Sequence, residues 1–445
     1  MHWFNDFTTL TAQISDIVWS VWTIFLLCGV GLLLTLKTRF IQITHFSTAL
    51  WLLFGVALKK DRADKRPGDI SPFQALSTSL SATIGNGNVA GVATAIAIGG
   101  PGAAFWMWAV ALFGMATKYA EVVLGLKYRY QTKDGSMLSG PMVYIKEGLG
   151  MKGLSFFFAI VTLFGGLGAG NMTQSNSIAL VLFSDFGFPK WLSGIILAAG
   201  LWLVIVGGIK RIGRVAEMLV PSMALTYIIS CLIILSNNLS EIPASFALII
   251  DSAFSGTAAT GGFTGATVAR AMAYGFRRGT ISSEAGVGTA AIAHGAAQTS
   301  DYHSQGLLGM MGVFIDTMVV SSMTALVLVT TGAWSSGLIS TEMTAMAFKS
   351  ILPFGGIIII IVSALFGFTT MVGWAYYCEQ SLRYIGGINF SIPFRWAYCG
   401  LAGVGAIFEV KPLWDWADIF IGFMAFANLF ALIALSNDVR KISRA

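Results

Sequence analysis

The chain has 445 residues, of which 56% are hydrophobic and only 11% charged, and its mean hydropathy is +0.75. A soluble domain carries roughly 25% charged residues, so this composition excludes a soluble enzyme; 13% aromatics, 51 glycines and no low-complexity run exclude disorder. The formal charge of +6 does not indicate a nucleic-acid partner, because the basic residues are distributed as membrane topology requires.

Apolar stretches near 16–36, 74–98, 102–127, 154–183, 189–208, 215–236, 250–273, 304–333, 354–381, 396–410 and 413–435 are candidate spans, given that about 20 residues cross a hydrocarbon core of roughly 30 Å. The expected fold class is therefore an all-α integral membrane protein with eleven transmembrane helices. Asp6 and Asp16 precede the first span with no basic region and no small-residue cleavage site, unlike a removable signal peptide. Lys37, Arg39, Lys59, Lys60, Arg62, Lys65 and Arg66 precede the second span, and Lys127, Arg129, Lys133, Lys146 and Lys152 precede the fourth. Lys210, Arg211, Arg214, Arg277, Arg278, Arg383, Arg395, Arg440, Lys441 and Arg444 occupy later alternate loops and the tail, against Lys190, Lys349 and Lys411 on the other side. The positive-inside bias then puts the N-terminus outside and the C-terminus in the cytoplasm of a cell (inner) membrane protein. Trp191, Trp334, Trp396, Trp414 and Trp416 stand at span ends as interfacial anchors. The four cysteines, Cys28, Cys231, Cys378 and Cys399, lie in apolar stretches without metal-type spacing and read as reduced packing residues.

Two spans resist a smooth helix. The second carries Gly85-Asn86-Gly87-Asn88 at mid-membrane, where each glycine costs about 1 kcal/mol relative to alanine and each amide needs a partner. The seventh carries Gly256-Thr257-Ala258-Ala259-Thr260-Gly261-Gly262-Phe263-Thr264-Gly265. Each heads a group of five spans, 73–236 and 250–435, after an extra N-terminal helix and loop in 1–72 and before a tail in 436–445. Five is odd, so the two groups run upside down to each other, the inverted-repeat arrangement of secondary transporters, with breaks expected at 85–88 and 261–265. An unwound helix aims N–H groups at a carboxylate and carbonyls at a cation, which suits a zwitterion and a sodium ion. The competing reading is close helix packing through Gly87/Gly91, Gly166/Gly170 and Gly261/Gly265; it does not call for Asn86, Asn88 or the threonines. A dinucleotide loop is excluded, because the run misses the third glycine of GxGxxG and follows no strand.

Gly85-Asn86-Gly87-Asn88-Val89-Ala90-Gly91, continued by Gly99-Gly100-Pro101-Gly102, Gly114-Met115-Ala116-Thr117-Lys118-Tyr119-Ala120-Glu121, Gly170-Asn171-Met172-Thr173-Gln174-Ser175-Asn176-Ser177, Ser283-Glu284-Ala285-Gly286-Val287-Gly288 and Gly373-Trp374-Ala375-Tyr376-Tyr377, resembles the sodium:alanine (alanine or glycine:cation) symporter family. The resemblance implies a leucine-transporter-type fold of two inverted five-helix repeats after one extra helix. It implies L-alanine, D-alanine or glycine as substrate and sodium as the coupling ion, with no other cofactor. Carried onto this chain, Gly85, Asn86 and Gly87 receive the substrate carboxylate, Gly262 and Phe263 face it, with Phe263 as an apolar lid, and Gln174 contacts the substrate. Asn86 departs from the family pattern, which usually has Thr there. Trp374, four residues after Thr370 on one helical face, is expected to wall the pocket to a methyl-sized side chain. For sodium, the fold points to hydroxyls of Thr369 and Thr370 and carbonyls of Ser81 and Ile84, with Thr83 and Asn88 as second choices.

The remaining intramembrane ionisable residues have two readings each. Lys118 and Glu121, three apart on one face, read as a structural pair snorkelling toward the cytoplasm. Asp316 reads as a buried hydrogen-bonded group or an ion-coupling residue, Glu379 lies near a cytoplasmic end, and His294 and His303 read as ordinary loop residues. The expected function is sodium-coupled import of a small neutral amino acid by alternating access. A proton-coupled or exchange transporter of the same fold is disfavoured by the lack of an obvious carboxylate beside the breaks, a channel by the clustering of polar residues at one depth, and a membrane enzyme by four histidines without an HExxH or GxSxG pattern.

Overall fold

The computed structural model describes residues 2–58, 67–258, 261, 263–408 and 410–444. Among them, apart from one two-stranded hairpin pairing Tyr130–Gln131 with Met137–Leu138, the regular structure is helical. Seven helices are long and apolar enough to cross a membrane: Thr9–Lys37, Gly102–Tyr128, Lys152–Ser184, Gly208–Ser236, Tyr302–Thr330, Gly355–Gly386 and Trp414–Ala434. Shorter helices, Lys190–Ile205 and Ser391–Gly405, pack against each other. Large apolar side chains such as Trp22, Trp51, Leu203 and Met218 are exposed around the bundle, as a lipid-facing surface requires.

Two elements are discontinuous. The first begins under a capping box, Ser71 Oγ accepting from the Gln74 N–H (3.1 Å) and Gln74 Oε1 from the Ser71 N–H (3.2 Å), with Pro72 at the first helical position. Its helix Pro72–Thr83 ends where Ile84 turns extended, and the chain re-enters through a wide π-helical turn at Gly87–Gly91 and continues to Gly99. The second discontinuous element is Val268–Ser283 followed by Thr289–Gly295. Between them Glu284 (φ 52°), Gly286 (φ 92°) and Gly288 (φ 95°) take left-handed conformations that stop one helix before the next starts.

This corrects the seventh span. Residues 250–273 are not one membrane helix broken at 261–265. Helix Ile242–Ser255 ends, the chain reverses as Thr257 and Ala266 exchange backbone hydrogen bonds (2.8 Å each), and Val268–Ser283 departs from the turn. Gly256, Gly261 and Gly265 all have positive φ and serve that reversal. Arg277 and Arg278, read as loop cations, lie inside Val268–Ser283, where Arg277 pairs with Asp418 (2.5 Å) and Asp16 (3.5 Å). His294 and His303 are helical too: His294 is fully buried with Nδ1 2.8 Å from Gln305 Nε2, and His303 Nδ1 lies 2.7 Å from the Tyr119 hydroxyl.

The two discontinuous elements lie side by side. Pro72–Thr83 packs on Thr289–Gly295, and Val92–Gly99 packs on Val268–Ser283. A backbone bridge between Ile70 and Ala297, and Arg129 donating to the carbonyls of Pro67, Gly295, Ala297 and Thr299, tie the two elements at one end of the bundle. The Gly102–Tyr128 helix packs on Tyr302–Val313, and Lys152–Leu167 on Gly355–Gly386.

Candidate functional site

The first break is built around Asn88. Its Oδ1 accepts from the Gly85 N–H (2.9 Å), supplying the acceptor that the interrupted helix lacks. Its Nδ2 donates to Asp316 Oδ1 (2.8 Å), the Asp316 carbonyl (3.1 Å) and Ser321 Oγ (3.1 Å), and its own carbonyl accepts from Thr324 Oγ1 (2.7 Å). Asp316 is fully buried and completes its shell by accepting from Thr317 (2.7 Å) and Ser282 (3.2 Å). The expectation that no carboxylate stands beside the breaks is thereby overturned.

The second break is held by the Gly102–Tyr128 helix. Lys118 Nζ donates to the Ser283 carbonyl (2.9 Å), at the negative end of the Val268–Ser283 helix. Glu121 Oε1 accepts from the N–H groups of Gly286 (2.8 Å) and Gly288 (3.1 Å) and from Asn428 Nδ2 (2.9 Å). Lys118 and Glu121 are 1% and 0% exposed, so neither snorkels to the membrane surface. The pair does act structurally, by standing in for the helical hydrogen bonds that the break removes.

A cavity lies between the two breaks. Its walls include Ala82, Thr83, Gly85, Gly87, Gly91, Ala169, Gln174, Arg278, Ile281, Ser282, Glu284, Thr370, Trp374, Trp414, Asp418 and Ile421. Thr370 presses on the first break: a Cβ at Gly85 would sit 2.5 Å from Thr370 Oγ1, which itself donates to the Phe366 carbonyl (2.9 Å). Trp374 lies against the glycines of the Lys152–Ser184 helix. A Cβ at Gly166 would meet the indole at 2.9 Å and one at Gly170 would overlap it, so the Gly166/Gly170 spacing houses this ring. The opposite wall approaches Gly87 through Ser282, 3.6 Å from where a Cβ would stand.

Gly85, Gly87, Gln174, Thr370 and Trp374 are therefore brought together, with Thr83 beside them. The Asn86 side chain turns out of the cavity, donating to Gln174 Oε1 (3.2 Å) and packing against Gly367, while Gln174 donates to the Ala169 carbonyl (3.1 Å). Ser81 Oγ bonds back to the Thr78 carbonyl (2.8 Å) and packs against Gly373. Thr369 faces elsewhere: its hydroxyl is shared among the Leu365 and Phe366 carbonyls (3.0 and 3.1 Å) and Met223 sulfur (3.4 Å). Phe263 does not join the group. Its ring lies 3.4 Å from a Cβ built on Gly100 and edge-on to Trp334 (5.5 Å), at the far end of a half-helix about 20 Å long. Gly262 lies outside the described residues. Sequence reasoning missed Ser282, Glu284 and Arg278 as cavity residues; the signal was the pair of glycines at 286 and 288 directly after a Glu in the run Ser283 to Gly288.

Glu379, at one end of the Gly355–Gly386 helix, is held bidentately by Arg395 (2.9 and 2.7 Å). Near it Arg383 pairs with Asp134 (2.6 Å) of the hairpin turn.

The model of the sodium:alanine symporter family matches residues 4–445. An uncharacterized transporter of Haemophilus influenzae is 44% identical over 97% of this chain and 94% of its own, and the sodium/alanine symporter AgcS of Methanococcus maripaludis 42% identical over 98% and 96%. The crystal structure of MhsT in complex with L-phenylalanine shares the fold at 13% identity, with a TM-score of 0.51 over 83% of this chain and 99% of that one. The chain belongs to the sodium:alanine symporter family and is a membrane transport protein of leucine-transporter-type fold, not an enzyme.

Proposed function

We propose that the protein is a sodium-coupled importer of a small neutral amino acid, alanine or glycine, working by alternating access. The observation that carries this reading is the cavity between the two breaks, where Gly85, Gly87, Gln174, Ser282, Thr370 and Trp374 converge. The backbone at 85–87 heads a half-helix and is suited to the substrate carboxylate. The Trp374 indole, held on Gly166 and Gly170, limits the pocket to a methyl-sized side chain. Sodium is placed where Thr370 meets the first break, with the carbonyls of Ser81 and Ile84 as further oxygens. Thr369 drops in rank because its hydroxyl is turned to Met223.

Eleven spans in two inverted repeats complete the proposal, the second repeat beginning at Val268 rather than at 250. Its support is the pairing of counterparts: second with seventh span, third with eighth, fourth with ninth, and fifth with tenth pack directly. The orientation with the N-terminus outside follows the basic loops and puts the Asp418 end of the cavity on the outer side. One charge moving through 100 mV supplies about 2.3 kcal/mol before the sodium gradient is added, enough for uphill uptake.

A proton-coupled transporter is the second reading, favoured by the burial of Asp316 against Asn88. Proteoliposomes separate the two. Labelled alanine is expected to accumulate above equilibrium with an inward sodium gradient and not with choline at constant pH; accumulation driven by a pH gradient without sodium overturns sodium coupling. Trp374→Ala is expected to admit larger amino acids, and unchanged selectivity removes the wall. Thr370→Ala is expected to raise the sodium requirement more than it weakens substrate binding at saturating sodium; equal losses argue against an ion site there.

A further inference from the structure

We infer that Glu284 receives the ammonium group of the transported amino acid, so that this site recognises both poles of a zwitterion and discriminates against the matching hydroxy acid. The inference rests on the cavity being the substrate site.

Glu284 ends the Val268–Ser283 helix in a left-handed conformation (φ 52°) that carries its side chain to the cavity wall, beside Ser282 and Trp374 and across from Gly85 and Gly87. The residue is 2% exposed, and a carboxylate so far from water needs a positive partner or a full set of donors. One oxygen, Oε2, accepts from Thr289 Oγ1 (2.6 Å), and the Trp374 indole N–H also donates to the carboxylate, which leaves the group short of a full set of donors. No Lys or Arg among the described residues forms an ion pair with it. Lys118, the cation whose field it feels most, gives its hydrogen bond to the Ser283 carbonyl, and Arg278, the cation on the cavity wall, lies 4.0 Å from Asp418. Of the charges lining the cavity, Asp418 is matched by Arg277, whereas Glu284 has no ion-pair partner and Arg278 keeps a buried Nε without a hydrogen bond among the described residues. The place of Glu284 at the C-terminal end of a helix adds a field that favours a cation. The opposite wall presents the N-terminal end of Gly87–Gly99, which favours an anion. A zwitterion whose carboxylate lies at 85–87 meets a negative group on the facing wall, where Ser282 lies 3.6 Å from the place of a Cβ on Gly87. Trp374 lines the same cavity and bounds the space beside Glu284.

The experiment measures, in proteoliposomes at saturating sodium, the concentrations at which alanine and lactate compete with labelled alanine uptake, for the native protein, Glu284→Gln and Glu284→Asp. The native protein is expected to prefer alanine over lactate by more than a hundredfold. Glu284→Gln is expected to weaken alanine at least tenfold and to shrink that preference, with the sodium concentration for half-maximal uptake changed less than twofold; Glu284→Asp is expected to fall between. If Glu284→Gln does not fold, Glu284→Asp alone decides, since a carboxylate withdrawn by one carbon still predicts a reduced alanine-to-lactate preference. An unchanged preference in the variants, or a loss confined to sodium affinity, overturns the inference. Failure of the native protein to take up any amino acid is a separate outcome: it overturns the substrate reading of the cavity and this inference with it.

Discussion

The two breaks solve one problem by different means. At 284–288 the missing helical hydrogen bonds are replaced by full charges from a single long neighbour, Lys118 on the carbonyl end and Glu121 on the amide end, one turn apart on Gly102–Tyr128. At 84–86 the replacement is an amide of the broken element itself, Asn88, relayed to Asp316, Ser321 and Thr324 on the Tyr302–Thr330 helix. A clamp whose two jaws sit on one rigid helix fixes the distance between the half-helices. At the first break the hold is a relay of side-chain hydrogen bonds that ends on the Asp316 carboxylate and does not bridge the two half-helices from one rigid neighbour, and the small residues Gly85 and Gly87 face the cavity there. The roles cross over as well: the helix that follows the first discontinuous element, Gly102–Tyr128, holds the break of the second, and the helix that follows the second, Tyr302–Thr330, holds the break of the first.

Four substitutions test that contrast, in order of size. Glu121→Ala removes one of the buried carboxylates whose field Lys118 feels and leaves two N–H groups without an acceptor, and is expected to cost about 3–5 kcal/mol, read as loss of the folded transporter in detergent on heating. Retention of native thermal stability would show that the clamp is dispensable. Gly288→Ala puts a Cβ into Pro141 at a φ of 95°; backbone strain alone is about 1–3 kcal/mol, and a lowered melting temperature with unaltered alanine affinity in the surviving protein is expected. Asn88→Ala strands the Gly85 N–H and costs about 1–3 kcal/mol, but here uptake is expected to fall far more than stability. Equal losses would place both breaks in the same mechanical class. Thr324→Val removes the hydrogen bonds that its hydroxyl makes with the Asn88 carbonyl and with the buried Tyr227 hydroxyl and is expected to cost about 1–2 kcal/mol, visible as a drop in melting temperature with transport retained.

The first break was legible because Gly85, Asn86, Gly87 and Asn88 interrupt an otherwise apolar run, and nothing in packing asks for two amides there. The second was not, for two physical reasons. The run 256–265 has the same glycine and threonine composition, yet its glycines serve a chain reversal, and composition does not distinguish a hairpin from an unwound helix. The true break is surrounded by Arg277, Arg278, Glu284 and His294, too polar to pass as membrane-embedded by hydropathy. Those groups are buried because their partners arrive from elsewhere: Ser283 and Gly286 meet Lys118 and Glu121 across 165 residues of chain. Helices such as Phe46–Leu58 and Ser340–Lys349 were missed because they are too short to span. Long-range satisfaction of polar groups leaves no periodic trace, so Glu284 passed as part of a motif, while Gln174, Thr370 and Trp374, named through the family resemblance, do line the cavity.

The indole of Trp374 is seated in the space where two side chains are missing, at Gly166 and Gly170. On the proposed reading, the width of the pocket is consequently set from behind the ring, at Gly166 and Gly170. A methyl group at Gly170 would push the ring toward the cavity, and a smaller ring would settle back. If the cavity takes the amino acid as proposed, preference between glycine, alanine and larger side chains can drift by substitution at Gly166 and Gly170 while the residues lining the cavity stay the same.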